Sequence, residues 1–346
     1  MKVFADLHQG DLYYSLQLLF VKRLGWELYR PIGEDWFTQG YWKIAEPYGN
    51  DRGTIRQYLG TDTHNWEQYK FLNGDYVLED GIYNIYDPIS GDHQKAITFQ
   101  KFKEMDIDIV ISTYQPHDLP YADLVRRYKP KAKHIVQMGN IYQSTDAQNV
   151  MCSTVPYEVP AGKNVVFYHQ EFDLNTFVYI PPTDVKKITS FVNLLPQPEI
   201  YNYYKEQLRN VEMKAYGALC PDGTITGHKE IAKIMQESFF GYHVKPMGDG
   251  FGHIIHNWYA VGRPVLTYKG DYQDKLAGEL LEDGVTCFDL GRRSHDETIA
   301  LVKRTLAEPE KLQTMCDASY NRFRELVDFD KEFEKIKQFL DVALTT

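Results

Sequence analysis

The segment from Asp249 to Leu266, DGFGHIIHNWYAVGRPVL, constrains the fold more than any other part of the chain. It reads as a Gly-broken loop, a short helix, a turn and a buried strand. Gly250 and Gly252 carry no Cβ, so the backbone there can turn sharply and approach a ligand closely. The amides that follow open a helix, and a helix start attracts anions, phosphates above all. Within the helix, Ile254, Ile255, Trp258 and Val261 fall on one apolar face. His253, His256, Asn257 and Ala260 form the opposite stripe, and Asp249, His253 and Asn257 recur every four residues on the loop side. Gly262-Arg263-Pro264 stops the helix, and Pro-Val-Leu begins a buried strand. An ordinary loop–helix–strand crossover has the same spacing, so spacing alone leaves both readings open.

The rest of the chain alternates strand and helix signals. Lys2 to Asp6 is a short apolar run ending in the loop His8-Gln9-Gly10-Asp11. A helical pattern follows through Leu12, Leu16, Leu19, Phe20 and Leu24 and stops at Gly25. Trp26 to Arg30 reads as a second strand. Residues from about 34 to 95 are rich in Gly, Asp, Asn, Tyr and Trp with weak periodicity, as in a long insertion. Asp108 to Thr113, His134 to Met138 and Asn149 to Ser153 are strands, with a helix over Tyr121 to Tyr128. A second αβ series starts near Lys186. It has strands at Ile188 to Val192, Val211 to Ala215, Phe239 to Val244 and Thr286 to Leu290, with helices at Glu199 to Leu208 and His228 to Glu237 between them. Helices over 294–307 and 309–325 and an amphipathic one over 331–342 close the chain. Strands separated by helices give open parallel sheets, here two doubly wound halves. Pro181-Pro182-Thr183 favours an extended connection between them. The expected domains are 1–182, 183–330 and a terminal helix at 331–346.

Composition narrows the class. With 346 residues, 43% hydrophobic and 25% charged, the chain is globular and long enough for two domains. No apolar run approaches the roughly 18–20 residues of a membrane span, and Leu16 to Val21 is too short for a secretory leader. Four scattered cysteines without a C-x-x-C suit a reducing, cytoplasmic setting and argue against a thiolate zinc site. A formal net charge of −10 gives no general attraction to nucleic acid or anionic membrane. The clearest local exception is Arg126, Arg127, Lys129, Lys131 and Lys133, a solvated helix end or a groove wall. The 26 tyrosines suit sugar or base recognition as well as packing.

The Asp249 segment resembles the motif E-G-F-G-x-x-x-x-E-A-x-A-x-G-x-P-V of the group 1 (family 4-like) retaining GT-B glycosyltransferases. Asp249 and Asn257 fall on the two motif glutamates. Gly250, Phe251, Gly252, Ala260, Gly262, Pro264 and Val265 match without a gap. His169 to Phe177, HQEFDLNTF, is similar to the family's P-N-G-V-D-x-x-x-F segment through Asp173 and Phe177. The resemblance implies an α/β GT-B fold, two Rossmann-like doubly wound domains facing across a cleft, with a C-terminal helix. It implies that Asp249 contacts the transferred sugar and Asn257 the ribose, with the diphosphate over Gly250, Phe251, Gly252 and His253. Asp shortens the carboxylate arm, and Asn keeps a hydroxyl partner but loses the charge.

A leaving diphosphate needs facing positive charge or helix amides. The family's Arg and Lys after the first strand of the second domain are replaced here by Val192-Asn193-Leu194-Leu195-Pro196. Lys245 is the preferred substitute, with Arg263 and His228-Lys229 as others. On the amino-terminal side, Gly10 is expected under the phosphates, and His8, Asp11 and His117 toward the acceptor. Asp11 as a helix N-cap explains that residue equally well. Asp106-Ile107-Asp108 and Asp328-Phe329-Asp330 are D-x-D pairs out of context for a metal site. His253 and His256 lack an evident third zinc ligand. The resemblance therefore implies a UDP- or GDP-sugar transferase, acting with retention, with no metal and no cofactor beyond the nucleotide-sugar co-substrate. Its acceptor would be a glycan or a hydroxylated base in DNA, as in phage-type modification. A nucleotide-sugar epimerase or hydrolase, and a non-catalytic binding or scaffold protein, are the alternatives.

Overall fold

The computed structural model describes residues 1–7, 9–31, 75–113, 118–139, 145–154, 162–182 and 186–345. His8, His117 and the part of the expected insertion before residue 75 lie outside the described residues. The chain divides into two compact units, Met1–Phe172 with Asp330–Thr346, and Asp173–Phe329. That division lies upstream of Pro181-Pro182-Thr183.

In the first unit the chain runs β1 (Lys2–Ala5), α1 (Gly10–Leu16), β2 (Glu27–Pro31), β3 (Tyr76–Glu79), β4 (Ile82–Tyr86), β5 (His93–Ile97) and α2 (Phe99–Glu104). It continues through β6 (Ile109–Thr113), α3 (Asp118–Tyr128), β7 (Lys133–Met138), β8 (Asn149–Cys152) and β9 (Asn164–Phe167). The sheet order is β3-β4-β5-β2-β1-β6-β7-β8-β9. Neighbours are parallel except at β3/β4 and β4/β5, which are antiparallel. The centre of the sheet is apolar on both faces, as a strand covered by helices on both sides must be. Val3 and Ala5 pack with Leu12, Leu16 and Phe20 on one side, while Phe4 meets Phe102 and Tyr121 on the other. Alternation along one strand thus feeds two cores, each fully buried large side chain contributing about 2 kcal/mol.

The second unit is built from β10 (Lys187–Phe191), α4 (Pro198–Gln207), β11 (Glu212–Tyr216), α5 (His228–Gln236), β12 (Phe240–Tyr242) and α6 (His253–Ala260). β13 (Val265–Thr267), β14 (Cys287–Asp289), α7 (His295–Ala307) and α8 (Pro309–Leu326) complete it. Its sheet, β11-β10-β12-β13-β14, is parallel throughout. The order reverses beside β10, where an open sheet binds ligands past its carboxyl ends. Gly241 in β12 seats α6, since a Cβ there would lie 2.6 Å from the Trp258 ring. Ser294 and Glu297 form a reciprocal capping box that starts α7.

The last helix, α9 (Phe329–Thr345), belongs to the first unit, where Ile336, Phe339 and Leu340 join the α1 side of the core. Arg23 ties it down, pairing with Glu171 and with Asp330, each at 2.8 Å. The weakly periodic stretch expected as an insertion up to residue 95 contains β3, β4 and part of β5. Strand β9 and the short α2 also extend the expected pattern.

Candidate functional site

The chain leaves β12 through His243, Val244 and Lys245, then turns at Met247, Asp249 and Gly250 before α6. Met247 is the one non-glycine residue at positive φ among the described residues (61°). Such backbone strain tends to persist where neighbours enforce it. The brace here is Lys275, whose Nζ donates to the carbonyl oxygens of Met247 and Asp271. Gly252 ends the turn in the left-handed region, φ 76°, and a Cβ on it would stand 2.6 Å from the Cβ of Ala277. Glycine is required there twice over, for the backbone sign and for the space.

Gly252 caps α6 and, as a glycine, supplies no side-chain cap to its first amides. Helix α5 begins likewise, after Gly227 at φ 96° and without a side-chain cap. The two starts adjoin, since the rings of His228 and His253 are stacked with centroids 6.3 Å apart. Two sets of helix amides and two positive dipole ends therefore meet in one place in the second unit.

Asp249 lies at the edge of this spot with both carboxylate oxygens engaged. His243 Nε2 is 3.0 Å from Oδ2, and Lys245 Nζ donates to Oδ1. Burial pushes the carboxyl up, but the hydrogen bond and charge of His243, joined by Lys245, outweigh it and hold Asp249 well below the usual carboxylate range. One turn further along α6, Asn257 is buried, and its Oδ1 has no hydrogen-bond partner among the described residues. A buried amide oxygen left unpaired costs about 1–3 kcal/mol and calls for an explanation.

Several expected site residues have other work. Arg263 is fully buried, and its guanidinium donates to the carbonyls of Ser238, Ile180, Val261, Gly262 and Gln236. It closes the C-terminal ends of α5 and α6 and so braces the fold. His256 is not on a ligand-facing stripe. Its ring is buried and stacked on Phe251 (4.1 Å, 13°), and its Nδ1 donates to the Gly252 carbonyl at 2.9 Å. Lys245, expected to face the diphosphate, is paired with Asp249. After β10, Asn193 and Leu194 are exposed and no cation replaces the family pair.

In the first unit, Gly10 opens α1, and the Ile89 side chain fills the space its Cβ would take. Gln9 holds the N-cap position, so Asp11 lies inside the first turn and is not the cap. Lys129 is buried, donating to the carbonyls of Lys103 (2.8 Å) and Met105. It cannot line a groove. Asp108 accepts the Lys2 amide at 2.7 Å and Asp330 pairs with Arg23, so each D-x-D pair has a member engaged in structure. His243 and Lys275 were missed by sequence reasoning. His243 had a signal, since His243, Lys245 and the strand before them share the period-2 side of an extended chain that ends at the motif.

No protein-family model and no curated protein sequence matches the chain. Solved structures do match along its whole length. Sucrose-phosphate synthase from Thermosynechococcus elongatus superposes with a TM-score of 0.64 at 10% identity, covering 100% of this chain and 99% of that one. Anabaena Alr3699/HepE in complex with UDP gives 0.60 at 12% identity, covering 99% of each. An alpha-glucosyltransferase in complex with UDP-glucose and DNA containing an abasic site gives 0.57 at 12% identity, covering 99% and 98%. The fold is GT-B, an α/β architecture with two parallel-type sheets and a C-terminal helix. No helix among the described residues is long and apolar enough to cross a membrane.

Proposed function

We propose that the chain transfers a sugar from a UDP-sugar to an acceptor hydroxyl. The observation that carries this reading is the meeting of two helix starts, Gly227-His228 and Gly252-His253, each with a glycine at its N-cap. Amides and dipole ends so placed suit a diphosphate, and they supply the positive potential that the residues after β10 lack. Asp249, kept ionised, is suited to accept sugar hydroxyls, and Asn257 Oδ1 to accept a ribose hydroxyl. UDP is favoured over GDP because superposable structures, the two complexes described above among them, hold UDP or UDP-glucose.

Transfer would break the bond between the sugar's anomeric carbon and the diphosphate oxygen and form a bond from the same carbon to the acceptor oxygen. The acceptor proton would leave with the departing diphosphate. Retention of configuration follows from the resemblance to the group 1 motif. No resident metal enters the reading, because the helix amides take its charge-stabilising role. The acceptor is a glycan hydroxyl. The net charge of −10 and the buried Lys129 disfavour duplex DNA.

A thermal-shift screen of the full chain against UDP, GDP, ADP and dTDP tests the donor, with a rise of several degrees expected for UDP at saturating concentration. No rise with any nucleotide would sink the reading in favour of a scaffold. A salt-dependent gel shift with hydroxymethylated duplex DNA would instead move the acceptor from glycan to DNA.

A further inference from the structure

His243 and Lys245 hold the same carboxylate unequally. His243 is only 2% exposed and meets Asp249 Oδ2 through Nε2 at 3.0 Å. Its other ring nitrogen, Nδ1, is buried with no hydrogen-bond partner among the described residues, so Asp249 is the polar group that fixes the ring. Lys245 pairs with the other oxygen, Oδ1, through a side chain that is 51% exposed. An ion pair so open to water contributes little and exchanges readily. The carboxylate itself is 20% exposed and stands two residues before Phe251 and three before the Gly252 cap of α6.

We propose that His243 is a positioning residue that fixes Asp249, and that Lys245 is an exchangeable partner that passes from Asp249 to the donor diphosphate on binding. This rests on the UDP-sugar reading above. The exchange would deliver a cation to the leaving group without an Arg after β10. It would also free Oδ1 of Asp249 to accept a hydroxyl of the sugar at the same moment. Neither side chain has a second acidic partner among the described residues, and burial of the one against exposure of the other suits them to a fixed and a mobile task. A four-bond lysine arm can make that move, whereas a buried imidazole cannot.

The test is calorimetric titration of UDP and of UDP-glucose into the full chain. Four proteins are compared: wild type, Lys245→Met, His243→Ala and His243→Gln. Lys245→Met is expected to weaken both ligands about tenfold, because both carry the diphosphate. His243→Ala is expected to remove the extra affinity of UDP-glucose over UDP, about tenfold, with the UDP constant moved less than about twofold. His243→Gln should restore most of that sugar-dependent affinity, since its amide nitrogen can donate where Nε2 does. Unchanged UDP affinity in Lys245→Met would overturn the exchange. Equal loss of both ligands, or of neither, in His243→Ala would overturn the positioning role. A wild-type chain that binds no UDP overturns the donor reading itself, and the exchange with it.

Discussion

Helices α1, at Gly10, and α6, after Gly252, each start at a glycine past the carboxyl end of a parallel strand, and they use it differently. At Gly10 the missing Cβ makes room for the δ-methyl of Ile89, brought in by the turn between β4 and β5. At Gly252 the backbone sits at φ 76° and the near atom is the Cβ of Ala277, which cannot swing away. The first glycine is a packing accommodation, covered by a neighbouring hairpin. The second sets the direction of the amides that open α6. One sequence signal therefore serves two physical ends, and the neighbours decide which.

The largest effect that can break this contrast lies at the far end of α6. Arg263→Met should cost about 3–5 kcal/mol of stability, because several buried carbonyls lose their donor. Chemical denaturation checks it. UDP affinity of the folded fraction should not change, and a selective loss of affinity would mean that Arg263 serves the ligand. At the near end, Asp249→Asn should lower UDP-sugar turnover roughly 100- to 1,000-fold in a transfer assay, with the melting temperature at pH 7 reduced only modestly. Survival of activity would remove Asp249 from the site.

The glycines themselves come next. Gly252→Ala must bear both a left-handed alanine and a 2.6 Å contact, about 2–3 kcal/mol together. Gly10→Ala displaces only the end of a flexible side chain and should cost less than about 1 kcal/mol. Equal costs would erase the distinction drawn between the two helix starts.

The last effect separates the units by pH. Burial pushes the His134 ring from 6.5 down to about 4, so the unfolded chain takes up the proton first and the first unit loses stability as pH falls from 6.5 toward 4. The loss at pH 5 should be roughly 2 kcal/mol. Asp249 in the second unit titrates in the opposite range. Its carboxyl is held below the ordinary 3.8, so its contribution is intact above that pH and lost only as pH falls further. Hydrogen exchange at pH 5 should therefore loosen β7 before β12, and His134→Gln should abolish that difference.

Much of this was legible in the sequence because it rests on local patterns. Buried runs such as Ile109–Thr113 and the alternation of strands with amphipathic helices specify parallel sheets, and the Gly-Phe-Gly turn before α6 marks the candidate site. What was not legible depends on partners distant in sequence. Arg263 resembles a phosphate ligand until the carbonyls of Ile180 and Gln236 are seen to claim it. Lys245 resembles a free cation until the turn returns Asp249 to it four residues later. The β3–β4–β5 hairpins escaped notice because Tyr76–Glu79 is exposed along its whole length and shows no burial alternation.

Amide hydrogen exchange of the full chain with and without UDP tests the central claim most directly. Protection confined to the segments around Gly227–Glu230 and Met247–His256 is the predicted result, reporting both helix starts closed over one diphosphate. Binding of UDP that leaves those amides unprotected, or protects others in their place, would contradict it.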